Sequence, residues 1–219
     1  MKITNIEAFH VALPYEHGAP KPLLPTGQLR EKMDGVYVKV ETDEGITGWG
    51  EAFGFAACPL SCHILKSTIA PLAIGREADD IPALMTDLFR RTQGMSLNGP
   101  VRFALSALDI ALWDIKGKHY QAPVWDLLGG KVRDKVRLHL LLAGGNPDEI
   151  RKNAKIAADE GYTALKYDPL QAGYQDQSLA RVIEGARDMA AAAREAVGYA
   201  YAEIETPAAR PAQLRCSAD

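Results

Sequence analysis

The amino-acid sequence predicts an α+β domain followed by an α/β segment, the beginning of a (β/α)8 barrel with about three strand–helix units. Three observations favour this fold class. Alternating apolar and polar residues near the N-terminus predict a small antiparallel sheet. Apolar residues at helical spacing dominate the middle of the chain. After residue 130, strand-like and helix-like segments alternate about every 30 residues, which is typical of a parallel sheet.

The predicted antiparallel sheet comprises residues 1–13 and 36–53. Val36, Val38 and Val40 alternate with polar neighbours before a turn at residues 42–45, and residues 46–51 return as the partner strand. Residues 14–25 are rich in proline and show no periodicity, so they predict a loop. Loops of this length often have a function.

Three helices are predicted between residues 61 and 117. Two amphipathic segments, 61–71 and 81–93, are expected to pack on the sheet. A longer helix begins after Asn98-Gly99-Pro100 and is expected to end near Gly117. Its apolar stripe predicts core packing and consists of Ala104, Leu105, Leu108, Leu112 and Ile115.

The second half of the chain predicts strands at 135–142, 163–167 and 199–205, with helices at 147–160 and 178–197 between them. Gly198 is expected to end the second of these helices. The sequence from residue 206 to 219 has two prolines and no periodicity. We therefore predict domains at 1–130 and 131–205 and an irregular tail at 206–219. Because no glycine-rich phosphate loop follows any strand, an open nucleotide-binding sheet is disfavoured.

Composition limits the partners and the location of the protein. The 219 residues carry a formal charge of -3 and a pI near 6.0, so no basic surface for nucleic acid is expected. No apolar run reaches the roughly 18–20 residues of a membrane span, and the N-terminus does not resemble a signal peptide. We expect a cytoplasmic protein without a membrane partner. A metal site is conceivable at Cys58, Cys62 and His63, but the sequence offers no fourth ligand there. The preferred interpretation is that the two thiols are buried.

Several segments resemble one known family. They are ALSALDIALWDIKGK from residue 104, PVWDLLGGKVRDKV from 123, TDEGITGWGE from 42 and GYTALKYDP from 161. Together they are similar to the mandelate racemase and muconate lactonising branch of the enolase superfamily, most like the acid-sugar dehydratases of the galactonate type. The resemblance implies a capping domain laid over the mouth of a modified barrel, a small sugar acid as substrate, and Mg2+ as cofactor.

The resemblance also implies a reaction and candidate residues for it. Family enzymes remove the proton alpha to a carboxylate, and the dehydratases then lose water from the ene-diolate. Lys166 matches the first lysine of the K-x-K motif of the family, and Asp168 stands at the second position. The alternative for Lys166 and Asp168 is a surface ion pair. Glu205 matches the first metal ligand, whereas Pro207 occupies the position of the catalytic histidine of the dehydratases.

Four further residues are candidates for substrate binding on loop position alone. His17 and Thr26 lie in the proline-rich stretch that resembles the capping loop of the family, and Phe53 and Phe55 follow the hairpin.

A complete barrel takes about 250 residues, whereas the sequence after the cap provides about three units. We therefore expect this 219-residue chain to be weakly active or inactive, and we expect bare sheet edges that favour association. Two alternatives stay open: a racemase or cycloisomerase of the same superfamily, and a non-catalytic module that binds a partner chain or forms a homo-oligomer.

Overall fold

The structure is a computed structural model, and it describes residues 1–14, 29–54, 57–142, 144–170 and 173–203. In the last helix, side-chain surroundings are described as far as residue 196. The chain divides into two compact units, Met1–Asp134 and Lys135–Asp219. Each unit is described by itself. The predicted loop at 14–25 and the predicted tail at 206–219 lie almost wholly outside the described residues.

The first unit contains a three-stranded antiparallel sheet, as predicted. The strands are β1 (Ile3–Pro14), β2 (Lys32–Thr42) and β3 (Thr47–Ala52), in the order β1-β2-β3. Val36, Val38 and Val40 are fully buried on the inner face, where they pair with Ala52, Gly50 and Gly48 of β3. The alternation seen in the sequence therefore sorts the two faces of the sheet.

Helices cover the inner face of this sheet. The first predicted helix is one continuous helical stretch with a π-helical turn at Leu65–Ile69, and the predicted 81–93 helix is confirmed within one residue at each end. The helices of the first unit are α1 (Cys58–Ile64), α2 (Ala70–Ala73), α3 (Ile81–Thr92), α4 (Pro100–Tyr120) and α5 (Val124–Leu127).

The long helix α4 carries the predicted apolar stripe, and all five of its residues are buried. The end predicted near Gly117 falls slightly short, because α4 continues to Tyr120 and closes on Gln121 in the left-handed conformation (φ 51°). Gly117 serves another purpose. A Cβ there would lie 3.1 Å from the carbonyl oxygen of Ala122, so the glycine gives room for the chain returning from the helix end.

The second unit pairs two short parallel strands with two helices. The strands β4 (Leu140–Leu141) and β5 (Leu165–Lys166) are shorter than predicted, while α6 (Pro147–Asp159) agrees closely with the expected helix. One 3-10 turn, Tyr174–Asp176, precedes the final helix α7 (Leu179–Glu203). The core of this unit consists of Leu142, Ile150, Ala154, Ala157, Met189, Ala192, Ala193 and Ala196.

The prediction of a third strand at 199–205 is wrong as far as Glu203, because α7 extends through Gly198 to that residue. The segment Tyr-Ala-Tyr-Ala satisfies strand alternation, but it also continues an alanine-rich helix. One internal glycine costs a helix only about 1 kcal/mol relative to alanine, so it does not force an end.

The described residues thus contain one antiparallel sheet of three strands and one parallel sheet of two strands, with no closed barrel among them. The expectation of three strand–helix units is therefore met only by two short strands in this part of the chain. No helix within the described ranges combines the length and apolar character needed to cross a membrane.

Candidate functional site

Lys166 and Asp168 lie at the carboxyl end of β5. Leu165 and Tyr167 pack against the core formed with α6 and α7, whereas Lys166 is exposed. Since side chains alternate along a strand, Lys166 occupies the face of the sheet that points away from the helices. In a parallel α/β fold, the carboxyl ends of the strands are where ligand-binding side chains collect.

The segment after β5 is organised by the Asp168 side chain. Its Oδ1 atom accepts a hydrogen bond from the backbone N–H of Leu170 at 3.0 Å, an Asx-type turn. Asp168 and Lys166 are both exposed, and no ion pair between them occurs in this described segment. The structure therefore does not support the surface ion pair that the sequence left open as the alternative.

The parallel strands are joined by a few well-defined bonds. The backbone N–H of Leu142 donates to the carbonyl oxygen of Lys166 at 2.7 Å, so this residue is fixed in register with the end of β4. At the other end, the Arg137 guanidinium donates to the carbonyl and the side chain of Thr163. The backbone that carries Lys166 is thus held to the preceding strand segment at both ends of β5.

The turn after β4 holds a reciprocal helix cap that the sequence analysis missed. Asn146 Oδ1 accepts from the backbone N–H of Glu149 at 3.0 Å, and the Glu149 carboxylate accepts from the N–H of Gly145 at 2.8 Å. The signal was available as Asn-Pro-Asp-Glu, a capping residue with proline at the first helical position and an acid at the third. This cap fixes the start of α6.

The start of α7 borders an open, mainly polar depression. It follows β5 in the chain, so by connectivity it belongs to the end of the unit where Lys166 and Asp168 lie. Among the described residues that line it, three are acidic and Arg181 is the single cation. The lining residues are Asp176, Gln177, Ser178, Arg181, Glu184, Gly185 and Asp188.

In the first unit, Phe53 directly follows β3 and is 63% exposed. Its ring lies 5.1 Å from the ring of Phe103 in an edge-on arrangement, so the side chain is exposed but supported from one side. The next residue, Gly54, packs tightly, because a Cβ there would overlap the Cys58 sulfur and lie 2.7 Å from the carbonyl oxygen of Asp34. The absence of a side chain at Gly54 therefore lets the chain pass close to Asp34 and Cys58 as it leaves β3.

The remaining predicted site residues are His17, Thr26, Phe55 and Glu205, and all four lie outside the described residues. Their roles stay predictions. Of the predicted site, the structure brings together Lys166 and Asp168 on one strand end, and it places Phe53 at the end of β3 in the other unit.

Within the described ranges, no three His, Cys, Asp or Glu side chains are grouped so that they could hold a metal ion. Asp168 alone does not supply the oxygen-rich shell that Mg2+ prefers. The described residues therefore do not form a Mg2+ site by themselves. Cys58 and Cys62 are both buried, and burial raises the pKa of each thiol, which disfavours the thiolate that would bind a metal.

Comparison with known proteins shows which proteins this chain is similar to. Residues 15–129 match the family model of the mandelate racemase / muconate lactonizing enzyme N-terminal domain. The D-galactonate dehydratase of Klebsiella pneumoniae (strain 342) is 34% identical over 165 residues, which are 74% of this chain and 42% of that protein.

Two solved structures illustrate the fold. A protein from Mesorhizobium loti, provisionally described as a dehydratase, superposes with a TM-score of 0.72 at 30% identity, covering 90% of this chain and 51% of the other. The N-succinyl Arg/Lys racemase of Bacillus cereus ATCC 14579 gives a TM-score of 0.73 at 28% identity, with 90% and 50% coverage. The chain spans about half the length of the relatives that it matches.

Proposed function

Because this chain belongs to the mandelate racemase / muconate lactonizing enzyme family of the enolase superfamily, we propose that the protein is an acid-sugar dehydratase. The reaction removes the proton alpha to the substrate carboxylate and then expels the neighbouring hydroxyl group, so that one molecule of water leaves. The observation that supports this proposal is the 34% identity to a D-galactonate dehydratase. The substrate class is therefore a hydroxylated sugar carboxylate.

In this proposal, Lys166 and Asp168 contact the substrate. A lysine at a strand end can hold a carboxylate by charge. It can instead accept a proton where burial lowers the pKa of a lysine enough to populate the neutral amine. The exposed ammonium of Lys166 is suited to the first role. Asp168 lies two residues beyond the end of β5, and the Asx-type turn holds its carboxylate against the backbone N–H of Leu170.

A Mg2+ ion belongs to the proposal as a family expectation, since enolase-superfamily sites generally use one or two such ions to stabilise the ene-diolate. Glu205 is the proposed ligand from this chain. His17, Thr26, Phe53 and Phe55 are proposed to shape the substrate pocket.

We propose the domain division of the sequence as well, with a cap at 1–130 and the first part of a barrel at 131–205. In the described residues, a two-stranded parallel sheet provides few strand ends from which to assemble a site. We therefore propose that this 219-residue chain is weakly active or inactive. Association with a second copy or with a partner chain, in a non-catalytic role, is the alternative from another functional class.

The alternative within the enzyme class is a racemase. It is supported by the structural likeness to the N-succinyl Arg/Lys racemase, which has a TM-score of 0.73. Both reactions begin with removal of the proton alpha to a carboxylate, and they differ in the fate of the intermediate. A racemase returns a proton to the opposite face, whereas a dehydratase loses hydroxide from the adjacent carbon.

The test is incubation of the 219-residue chain with Mg2+ and a panel of sugar acids, D-galactonate included, in deuterated water. Mass spectrometry and proton NMR then detect water loss and deuterium at the alpha carbon. The dehydratase proposal expects a keto-deoxy acid, formed at rates far below the usual range of roughly 1–10³ per second for enzymes. Ordinary rates would contradict the weak or absent activity proposed for this chain.

The variants Lys166→Ala and Asp168→Ala are expected to abolish product formation. Lys152→Ala is the matched control, because Lys152 is an exposed lysine of α6 in the same unit. Deuterium incorporation without water loss would favour the racemase. Neither water loss nor exchange, with any acid of the panel, would favour the non-catalytic module.

A further inference from the structure

The outer edge of β3 is occupied by two side chains of α4. The backbone N–H of Trp49 donates to Asp114 Oδ2 at 2.8 Å, and the Lys118 ammonium donates to the carbonyl oxygen of Thr47 at 2.7 Å. Lys118 Nζ also lies 2.6 Å from Asp114 Oδ2, so the two side chains form an i,i+4 ion pair. We call these two residues the Asp114–Lys118 pair.

This pair presents to β3 the groups that a neighbouring strand would present. Residues of a strand direct their N–H and C=O groups alternately to its two edges, so Thr47 and Trp49 face the same edge. β3 is the last strand in the order β1-β2-β3, and its other edge is paired with β2. The Asp114 carboxylate supplies an acceptor to the free edge, and the Lys118 ammonium supplies a donor.

Two glycines bring α4 close enough for this arrangement. A Cβ on Gly48 would overlap the carbonyl oxygen of Ala111, and a Cβ on Gly50 would overlap that of Ala107. With any larger residue at these positions, α4 would have to move away from the sheet. The Gly-Trp-Gly segment of the hairpin and the Trp-Asp-Ile-Lys-Gly-Lys segment of α4 are therefore physically coupled, although 65 positions separate Trp49 from Asp114.

We propose that the Asp114–Lys118 pair is a substitute strand, which closes the β3 edge against a strand from a second copy of this chain. An edge strand with unpaired N–H and C=O groups is a template for pairing with another chain. Here the carbonyl of Thr47 and the N–H of Trp49 are already bonded to α4. A second copy must displace the ion pair before it can add a strand to this edge. This proposal does not depend on the enzymatic activity.

The test replaces both residues in the 219-residue chain, Asp114→Ala with Lys118→Ala, and measures self-association by size-exclusion chromatography with light scattering over a range of concentrations. The expected result is a dissociation constant for self-association lowered about tenfold or more, since newly available strand pairing adds favourable contacts. The double variant Asp87→Ala with Arg91→Ala is the matched control. That i,i+4 pair, 3.0 Å apart, lies on α3. Asp87 also bonds the Arg76 guanidinium at 2.7 Å, so the control removes two ion pairs, and both of them join side chains only. Unchanged association of the first variant, or an equal gain in the control, would overturn the proposal.

A second measurement covers the case in which the double variant fails to fold. Amide hydrogen exchange at Trp49 is compared in the single variants Asp114→Ala and Asp114→Asn. Asparagine retains an oxygen that can accept from the Trp49 N–H, whereas alanine does not. Exchange at Trp49 is expected to rise at least about tenfold in Asp114→Ala and to stay near the parent rate in Asp114→Asn. Slow exchange in both variants would overturn the proposal.

Discussion

The two units of this chain differ in how far they complete their own packing. In residues 1–134, an antiparallel sheet and a long helix enclose a core of large aliphatic side chains, among them Leu65, Leu88 and Leu108. In residues 135–203, five of the eight core residues are alanine, while Val136, Leu138 and Leu141 are exposed. A hairpin sheet can bury one face against local helices, whereas a short parallel sheet depends on further strands and helices for burial.

The difference in stability between the two units is tested most directly by denaturant unfolding followed with two spectroscopic probes. All three tryptophans, at positions 49, 113 and 125, lie in the first unit, so fluorescence reports on that unit alone. Far-UV circular dichroism also reports on α6 and α7. Because the second unit buries less apolar surface, its helices are expected to melt first and the two curves to separate. Coincident transitions would refute the difference in stability.

Removing a core side chain is expected to have the next largest effect. Leu108 is fully buried on α4, and Leu108→Ala is expected to lower the free energy of unfolding of the first unit by about 2–5 kcal/mol. Leu141→Ala is the control, since Leu141 is 66% exposed, and it is expected to stay within about 0.5 kcal/mol of the parent. The fluorescence transition measures the first change and circular dichroism the second. Similar losses in both would contradict the contrast between the units.

Gly54→Ala tests the close packing next to Phe53 in the first unit. The added Cβ would overlap the Cys58 sulfur and press on the Asp34 backbone, so a loss of about 1–3 kcal/mol is expected in the fluorescence transition. Gly94→Ala makes the same chemical change where no heavy atom lies within 4 Å, and its φ is not positive. A Gly94→Ala effect as large as that of Gly54→Ala would show that chain flexibility, and not close packing, governs both.

The smallest expected effect concerns the cap of α6. Asn146→Ala removes the acceptor for the Glu149 N–H, and losing such a cap costs about 1 kcal/mol. The unfolding transition of the second unit, followed by circular dichroism, is expected to shift to a lower denaturant concentration. The fluorescence transition of the first unit is expected to stay unchanged. Asn146→Asp keeps an acceptor and is expected to retain the parent stability. An unaltered dichroism curve for Asn146→Ala would mean that packing alone sets the start of α6.

The same contrast explains how much the sequence could predict. The valines of β2 and the stripe of α4 were predictable because local periodicity decides which residues a hairpin and an amphipathic helix bury. The lengths of β4 and β5 were not, since the extent of a parallel strand depends on partners distant in sequence. The segment from Tyr199 satisfied both strand and helix patterns. It continues the helix because the alanine-rich run before it has a high helix propensity.

For the candidate site, the sequence could predict that Lys166 lies in a strand, because the apolar neighbours of that lysine alternate with it. The roles of Lys166 and Asp168 stay predictions. The sequence could not predict the contacts of the Asp114–Lys118 pair, because they join side chains of α4 to backbone groups of β3 that are distant in sequence. The Asx-type turn of Asp168 is a local contact, and Asp-Pro at 168–169 was a signal for it.

The pairing of β1 with β2 has a practical consequence. The two strands stay in register up to Pro14 and Lys32, so the ends of the intervening segment are anchored side by side on a rigid ladder. A segment tethered in this way can be exchanged for a different peptide at little entropic cost, because its closure is already enforced by the strands. The first unit could thus serve as a scaffold for grafted sequences between these two residues.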